Sequence, residues 1–435
     1  MLMKKIVTSV GLVALGVSGA YAAYAPGLSP MDSSKAWSVS ATLRGFYDDN
    51  YANLPSHKRD SFGFEVSPSI RFNLPLEQSY LGLRYIYSGR YYEDRDNLKG
   101  SDAWDHSHQV DLIFNHAFDN RYSFSLLDSF VVAQEPELFA PTVGGGAYPF
   151  RVDGDNLRNR LNVAFTAELT RNLSTVISYD NVWYDYEERG GDAAFASLSG
   201  LLDRVEHGIS ADLRWQALPE TVGILGYRFG IVDYTSSEVV GNLWGEDLKA
   251  KIRDNYSHSI YAGVEHNFLR NLTGSLRAGA TFLDFRNDRY NDDTWIPYVD
   301  ANLAYSYAAG SRVQIGFMHT FNQTDLVAPN TVKGTITSAQ KSSTVYGRLS
   351  HRFTPKLLGS VQGSYRHSTF EGGRYDDNTE EYFLAGVNLT YLINRHLSAE
   401  VGYNFDKLDS DASRDWRRLG DYDRNRVYIG VTATY

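Results

Sequence analysis

The sequence predicts an all-β chain that closes on itself as a transmembrane, antiparallel, up-and-down β-barrel of about 18 strands. Apolar and polar residues alternate with a period of two in segment after segment. The connections between those segments alternate between short and long. The chain opens on an export signal, yet no later apolar run nears the roughly 20 residues that a membrane helix needs.

Residues 1–22, MLMKKIVTSVGLVALGVSGAYA, set Lys4 and Lys5 before an apolar run from Ile6 to Val17, then a small-x-small site at Ala20-Tyr21-Ala22. This is the pattern of a secretory signal peptide, with an apolar run too short to span a bilayer comfortably. Residues 23–37 read as a short periplasmic linker, and residues 38–435 as the barrel with long external loops. The chain carries a net charge of −10, and removing the leader takes away two lysines and no acids. Such a charge argues against nucleic acid as a partner. There is no cysteine, so an exported chain must be held by something other than disulfides. A mean hydropathy of −0.37 by itself suits a soluble protein. In a barrel only alternate residues face lipid, so the two readings do not conflict.

The faces separate clearly. Phe62, Phe64, Val66, Ile70 and Phe72 fall on one side of a strand whose other side carries Glu65, Ser67, Ser69, Arg71 and Asn73. Leu157, Leu161, Val163 and Phe165 oppose Arg158, Arg160, Asn162, Thr166 and Glu168. Val205, Ile209, Ala211, Leu213 and Trp215 oppose Glu206, Ser210, Asp212 and Arg214. Short connections occur at 73–79, 118–121, 170–172, 217–220, 269–271, 308–311, 354–356 and 394–396. Long acidic ones include 93–105, 134–155, 236–255 and 407–423. Tight turns at one end and loops at the other are the asymmetry of bacterial outer-membrane barrels, and an even strand number puts both chain ends on the tight-turn side. Propeller blades share a similar repeat length, but their strands are shorter and buried on both faces.

Aromatics gather at strand ends. Phe118, Phe268, Tyr307 and Phe353 precede short turns; Tyr85, Tyr87, Tyr91, Trp183 and Tyr227 lie toward the loops. They are expected to form two interfacial girdles. In the last strand Val427, Ile429, Val431, Ala433 and Tyr435 share one face. A closed barrel has no free edge, so this strand is expected to pair with the first, 38–49. Ending on Tyr435 resembles the C-terminal signal of Gram-negative outer-membrane proteins, which implies the barrel-assembly machinery as a partner.

Three stretches near the N-terminus, GFYDDNY (45–51), RDSFGFEVSPSIRFNLP (59–75) and LGLRYIYSGRYYEDRD (81–96), resemble the β-barrel porin-2 group of Gram-negative outer-membrane proteins. The resemblance covers about the first 100 residues. It implies an outer-membrane barrel, with surrounding lipid and lipopolysaccharide, more firmly than it implies a solute. Some members of that group accompany exopolysaccharide or sorting-related gene clusters.

Charged residues crowd the polar face: Arg44, Glu65, Arg71, Arg84, Asp111, Arg158, Arg160, Glu168, Glu206, Asp212, Arg214, Arg228, Glu265, Arg277, Asp300, Arg312, Arg348, Arg366 and Glu400. An arginine facing lipid near the midplane would cost about 2–4 kcal/mol, so these residues are expected to line the lumen. There they either sort small hydrophilic solutes or pair with one another and stiffen a filled barrel. The loop 134–155 carries Glu137 and Phe139 beside Pro136, followed by Gly144, Gly145 and Gly146, and reads either as a constriction folded into the pore or as an ordinary exposed loop.

Acidic pairs at Asp48-Asp49, Asp292-Asp293, Asp376-Asp377 and Asp409-Ser410-Asp411 are read as solvated loop charges. The last begins like an EF-hand, but Arg414 stands where glycine is needed. His396-Leu397-Ser398 and Asp105-His106 are the nearest approaches to a hydrolase or protease pair, and His106 with His108 offers too few ligands for a metal site. No enzyme, cofactor or metal is expected. The two functions left are a channel for small hydrophilic solutes and a conduit or scaffold for exopolysaccharide export; a hydrolase comes third.

Overall fold

The computed structural model describes residues 35–96, 102–133, 155–187, 197–286, 289–290, 293–412 and 421–435. The leader at 1–22, most of the linker, and Glu137, Phe139, Gly144, Gly145 and Gly146 lie outside the described residues.

Among the described residues one 18-stranded sheet forms the wall. In chain order it begins with β1 (Trp37–Asp48), β2 (Ser61–Pro75), β3 (Ser79–Tyr92), β4 (Trp104–Ala117), β5 (Tyr122–Ala133) and β6 (Asn156–Glu168). It continues with β7 (Leu173–Tyr186), β8 (Arg204–Leu218) and β9 (Thr221–Tyr234), and, after an external hairpin β10 (Val239–Leu243) and β11 (Glu246–Lys249), with β12 (Asn255–Leu269), β13 (Leu272–Phe285), β14 (Thr294–Ala308) and β15 (Ser311–Gln323). A second external pair, β16 (Pro329–Asn330) and β17 (Thr335–Ile336), precedes β18 (Ala339–Arg352), β19 (Leu357–Glu371), β20 (Thr379–Leu392), β21 (Leu397–Ser410) and β22 (Tyr422–Thr434).

Every wall strand pairs antiparallel with its neighbours, and β1 also pairs with β22, from Ser40↔Thr434 to Asp48↔Arg426. That last ladder closes the barrel, so no wall strand is a free edge over its whole length. The eight short turns fall where the sequence predicts them.

Period-two alternation decides which face is which. On β22, Val427, Ile429 and Val431 are exposed, whereas Arg426 and Tyr428 are 1% and 2% exposed. Outward side chains around the wall include Leu43, Val66, Ile177, Ile260, Ile315, Val345 and Val401, all exposed. A continuous apolar surface of this extent is stable only against lipid.

Both aromatic girdles are present. At the tight-turn end the pattern His-x-Phe occurs three times, at 116–118, 266–268 and 351–353, each with the two rings edge to face at 4.5, 4.7 and 4.5 Å. Tyr435 occupies the matching level: its ring stacks on His396 at 6.3 Å and lies 5.7 Å from Trp37, and its N–H donates to Val39 O at 2.8 Å. Amphipathic rings of this kind suit the membrane–water boundary. At the loop end, outward tyrosines meet outward imidazoles: Tyr85 with His108 at 2.9 Å, Tyr87 with His106 and Tyr227 with His258 at 2.8 Å.

The external segments fold onto one another over part of the mouth. Val240, Leu243, Leu248, Ala250 and Ile252 pack with Val232, Tyr234, Tyr290 and Ile336 as a small apolar core, and Leu201 and Val327 cover it. Trp244 Nε1 donates to Thr331 O at 2.8 Å. Arg253, fully buried, donates to Thr324 O at 2.9 Å and to Leu201 O, with its guanidinium 3.9 Å from the Tyr234 ring centre. Burial pushes the pKa of this guanidinium below its ordinary value, with the cation over Tyr234 acting in the opposite direction. One arginine thus ties three external segments together.

Candidate functional site: the inward face

The charged residues singled out above sit on the wall face opposite the exposed apolar one, at positions set by strand parity. Most of them fall into two groups with different surroundings.

The first group straddles the β22–β1 seam. Arg44 on β1 reaches Glu65 on β2 at 2.7 Å and Glu400 on β21 at 2.6 Å, so one side chain spans four consecutive strands. It passes directly over Gly430 on β22, where an added Cβ would meet Arg44 Cγ at 2.7 Å; only glycine leaves this crossing free. Glu65 also meets Arg90 at 3.4 Å. Arg84 and Asp111 pair at 2.6 Å, and Asp111 accepts from Gln109 and Ser129. Arg424 pairs with Asp48 at 2.5 Å and Arg426 with Asp406 at 2.6 Å, all four nearly fully buried. Arg366 is 3.6 Å from Glu380. Every member of this group is at least nine-tenths buried or close to it.

The second group lies on the opposite side, from β7 to β14. Arg214 grips Glu265 through both nitrogens, at 3.0 and 2.5 Å. Arg277 is 3.4 Å from Glu265 and 3.9 Å from Asp212. Asp212 accepts from Tyr261 at 2.5 Å, and Arg228 is 3.5 Å from Asp180. The charged side chains of these pairs, Arg214, Glu265, Arg277, Asp212, Arg228 and Asp180, keep 15–29% of their surface exposed. Tyr261 and Tyr298 sit 5.5 Å apart on the same wall, and the Tyr346 hydroxyl accepts from Asn302 at 3.1 Å. Glu206 pairs with Arg204 at 2.7 Å. Arg312 and Arg348 stand on adjacent strands, β15 and β18, with Arg348 donating to Gln362 at 3.4 Å. Arg71 faces Arg84 across the β2–β3 ladder, Arg158 is buried, Arg160 donates to the Tyr184 hydroxyl at 3.1 Å, Asp300 faces Arg277 across β13–β14, and Glu168 lies exposed at the tight-turn rim.

Asp48, read from the sequence as a solvated loop charge, is instead the buried last residue of β1, paired with Arg424. Asp180, Arg90, Arg204, Asp406 and Arg424 also belong to these networks and escaped sequence reasoning. Most sit at the loop ends of their strands, where the alternating pattern merges into acidic loop composition; extending the parity by two residues would have captured them. One outward acid also escaped notice. Asp128, mid-strand on β5, shares the face of Leu126 and Phe130 and accepts from Asn159 at 3.1 Å.

The candidate pairs for other chemistry do not assemble. Asp105 turns inward to Arg95 at 2.6 Å while His106 turns outward to Tyr87. His396 Nδ1 donates to Thr434 O at 3.0 Å and its ring stacks on Tyr435, whereas Ser398 is buried on the inward face. Asp376 pairs with Lys333 at 3.2 Å, Asp409 with Lys407 at 2.6 Å, and Asp411 accepts from Thr379 at 2.8 Å. Among the described residues no group of three or more acids or histidines could hold a metal ion.

No curated protein matches the chain. Among solved structures it is similar to OccAB4 of Acinetobacter baumannii, with 12% identity over 92% of this chain and 99% of that one and a TM-score of 0.43. OccK1 (OpdK) of Pseudomonas aeruginosa gives 13% identity, 92% and 99% coverage and a TM-score of 0.45. A variant of the ferric enterobactin receptor PfeA of the same organism gives 10%, 91% and 80%, and 0.44. The architecture itself rests on the register of this chain's own strands. Residues 297–435, from β14 to β22, match the family model described as "Putative beta-barrel porin 2", the group that residues 45–96 resemble in their motifs, and the barrel is one of the bacterial outer membrane.

Proposed function

We propose that the barrel is a passive channel for small hydrophilic solutes. The observation that carries this reading is the contrast between the two sides of the inward face. Seam charges are buried in closed ion pairs, whereas most of the β7–β14 charges, all but Arg204 among those paired here, remain partly exposed. A barrel filled solid would bury both sides alike; a pore running beside one wall leaves that wall wetted. Its ions are paired in opposite signs, so the field along the path is weak and selectivity modest.

In a planar bilayer the purified protein should show stepwise ohmic conductance. The preference for cations should be slight at low salt and fade as the Debye length falls from about 30 Å at 0.01 M to about 3 Å at 1 M. Folded protein that conducts nothing sinks the channel reading. A conduit for polysaccharide is the second reading, favoured by Tyr261, Tyr298 and Tyr346 beside the paired ions, since sugar faces stack on rings and their hydroxyls bond to charges. Block of the conductance by neutral oligosaccharides, but not by salts or amino acids, would move this reading ahead.

A further inference from the structure

β14 and β15 are joined by a ladder only in their periplasmic parts, from Val299↔His319 to Tyr305↔Val313 and again at Ala308↔Ser311. Above that level the two strands part. Thr294–Tyr298 of β14 still pair with β13, and Thr320–Gln323 of β15 still pair with β18. No ladder joins the two upper edges to each other among the described residues. Pro297, with no N–H to donate, sits in the separated stretch.

Side-chain contacts say where the β15 edge goes. Gln323 Oε1 accepts from the Tyr234 hydroxyl at 3.2 Å and from Asn255 Nδ2 at 3.3 Å, on β9 and β12, which lie beyond both β14 and β13. Phe321 and Ala339 pack against Leu283 and Phe285 of β13. By parity Leu283 and Phe285 are on the inward face with Arg277, while Phe321 and Ala339 are on the outward faces of β15 and β18. The outer surface of the β15–β18 edge therefore lies against the inner surface of the β13–β14 edge. The wall overlaps itself here instead of being stitched.

An apolar cluster fills part of the overlap: Leu283 and Ala339 have no exposure, Phe285 is 4% exposed and Phe321 packs against them, while Ile296 on the inward face of β14 has no exposure. Its outer lip carries Trp295, exposed, against Phe282 at 5.1 Å, at the level of the loop-end aromatic girdle. Below Ile296 on the inward face of β14 come Tyr298, Asp300 and Asn302. Unpaired strand edges are tolerated at membrane depth only where protein covers them. Apolar packing and the two Gln323 hydrogen bonds hold these, and so sparse a set of contacts parts more readily than a full hydrogen-bonded ladder.

We propose that this overlap is a lateral gate between the lumen and the outer leaflet, and that its occupant is a single-chain amphiphile. The alkyl chain lies between Leu283, Ile296 and Phe321, and the polar head stays on the wet side by Tyr298 and Arg277. Gln323 and Lys341 share the outward face of this edge, Gln323 bonded to Tyr234 and Asn255 and Lys341 paired with Glu371, so the apolar part of the slot is the stretch lined by Leu283, Phe285, Phe321 and Ala339.

The chain has no cysteine, so a two-cysteine variant tests this cleanly. Leu283→Cys with Phe321→Cys, joined by a short dibromoalkane whose two bromides the thiolates displace, pins the overlap shut; the unlinked form of the same variant is its control. Binding of the fluorescent fatty acid cis-parinaric acid should saturate in the wild type and the unlinked variant, and weaken at least tenfold on linking, with ionic conductance unchanged. Phe321→Ala, which loosens the overlap, should speed uptake of the same acid. The proposal is overturned if wild-type protein shows no saturable binding, or if linking leaves binding as it was. Conductance is read separately, so its absence bears on the channel reading and leaves this test intact.

Discussion

Replacing Arg44 by methionine should be among the most damaging single changes in the wall. The side chains of Arg44, Glu65 and Glu400 are 8%, 4% and 6% exposed, so solvent does little to screen them. Removing the guanidinium leaves Glu65 with Arg90 at 3.4 Å, and Glu400 with the Asn388 amide at 3.3 Å. Breaking a buried ion pair by deleting one partner typically costs about 3–5 kcal/mol, because the remaining charge stays desolvated. With a urea slope of roughly 2–3 kcal/mol per molar, the unfolding midpoint should fall by about 1–2 M. The assay is unfolding in detergent micelles, followed by tryptophan fluorescence and by the gel shift between folded and heated forms. A triple variant, Arg44→Met with Glu65→Gln and Glu400→Gln, removes the stranded charges and should recover most of the loss. As a control, Lys58→Met breaks a half-exposed pair with Asp423 and should cost under about 1 kcal/mol. The reasoning fails if Arg44→Met costs no more than Lys58→Met, or if the triple variant is as unstable as the single one.

Arg253→Met should free the external segments without weakening the wall: hydrogen exchange at 197–203 and 324–338 should quicken severalfold while the barrel's unfolding midpoint holds, and unchanged exchange there would refute its tying role. Asp128→Leu should stabilise the protein in a bilayer by about 1–2 kcal/mol, since its carboxylate faces the apolar belt with a single amide partner; a loss of stability would show that the acid is structurally needed. The turn at 372–378 should be pH-sensitive. The Gly372 N–H and the Lys333 ammonium hold the Asp376 carboxyl below its ordinary value. A depressed folded pKa stabilises above the unfolded value and is lost as pH falls through the folded one. Exchange in this turn should therefore rise on acidification below about pH 4, and Asp376→Asn should abolish the dependence.

Much of this barrel was legible in one dimension. Parity alone assigns Val427, Ile429 and Val431 to lipid and Arg426 and Tyr428 to the interior, because a strand turns successive side chains to opposite faces whatever surrounds it. Turn lengths alone yield eighteen strands, and closure alone pairs β22 with β1. These are local or topological facts, and a sequence carries them openly. The family resemblance was read at residues 45–96, whereas the family model matches 297–435. The His-x-Phe repeat at the inner girdle was also readable and went unread, since three residues are a short signal within strands already rich in aromatics.

Other features are absent from the sequence in any local form. Arg44 and Glu400 are 356 positions apart, and their contact depends on closure, register and the missing side chain of Gly430 together. The division of the inward face into a buried seam and a wetted wall depends on what covers each charge, not on its residue type. Arg253 reads as one more loop cation until Tyr234, Thr324 and Leu201 converge on it. The overlap at β14 and β15 is subtler still: Phe321 keeps its outward parity, yet it packs, partly buried, against an inward face because the strand that carries it has moved behind its neighbour. Alternation reports which side of its own strand a residue occupies. Only the tertiary structure decides where that side then points, because it is packing between strands and loops that bends the wall.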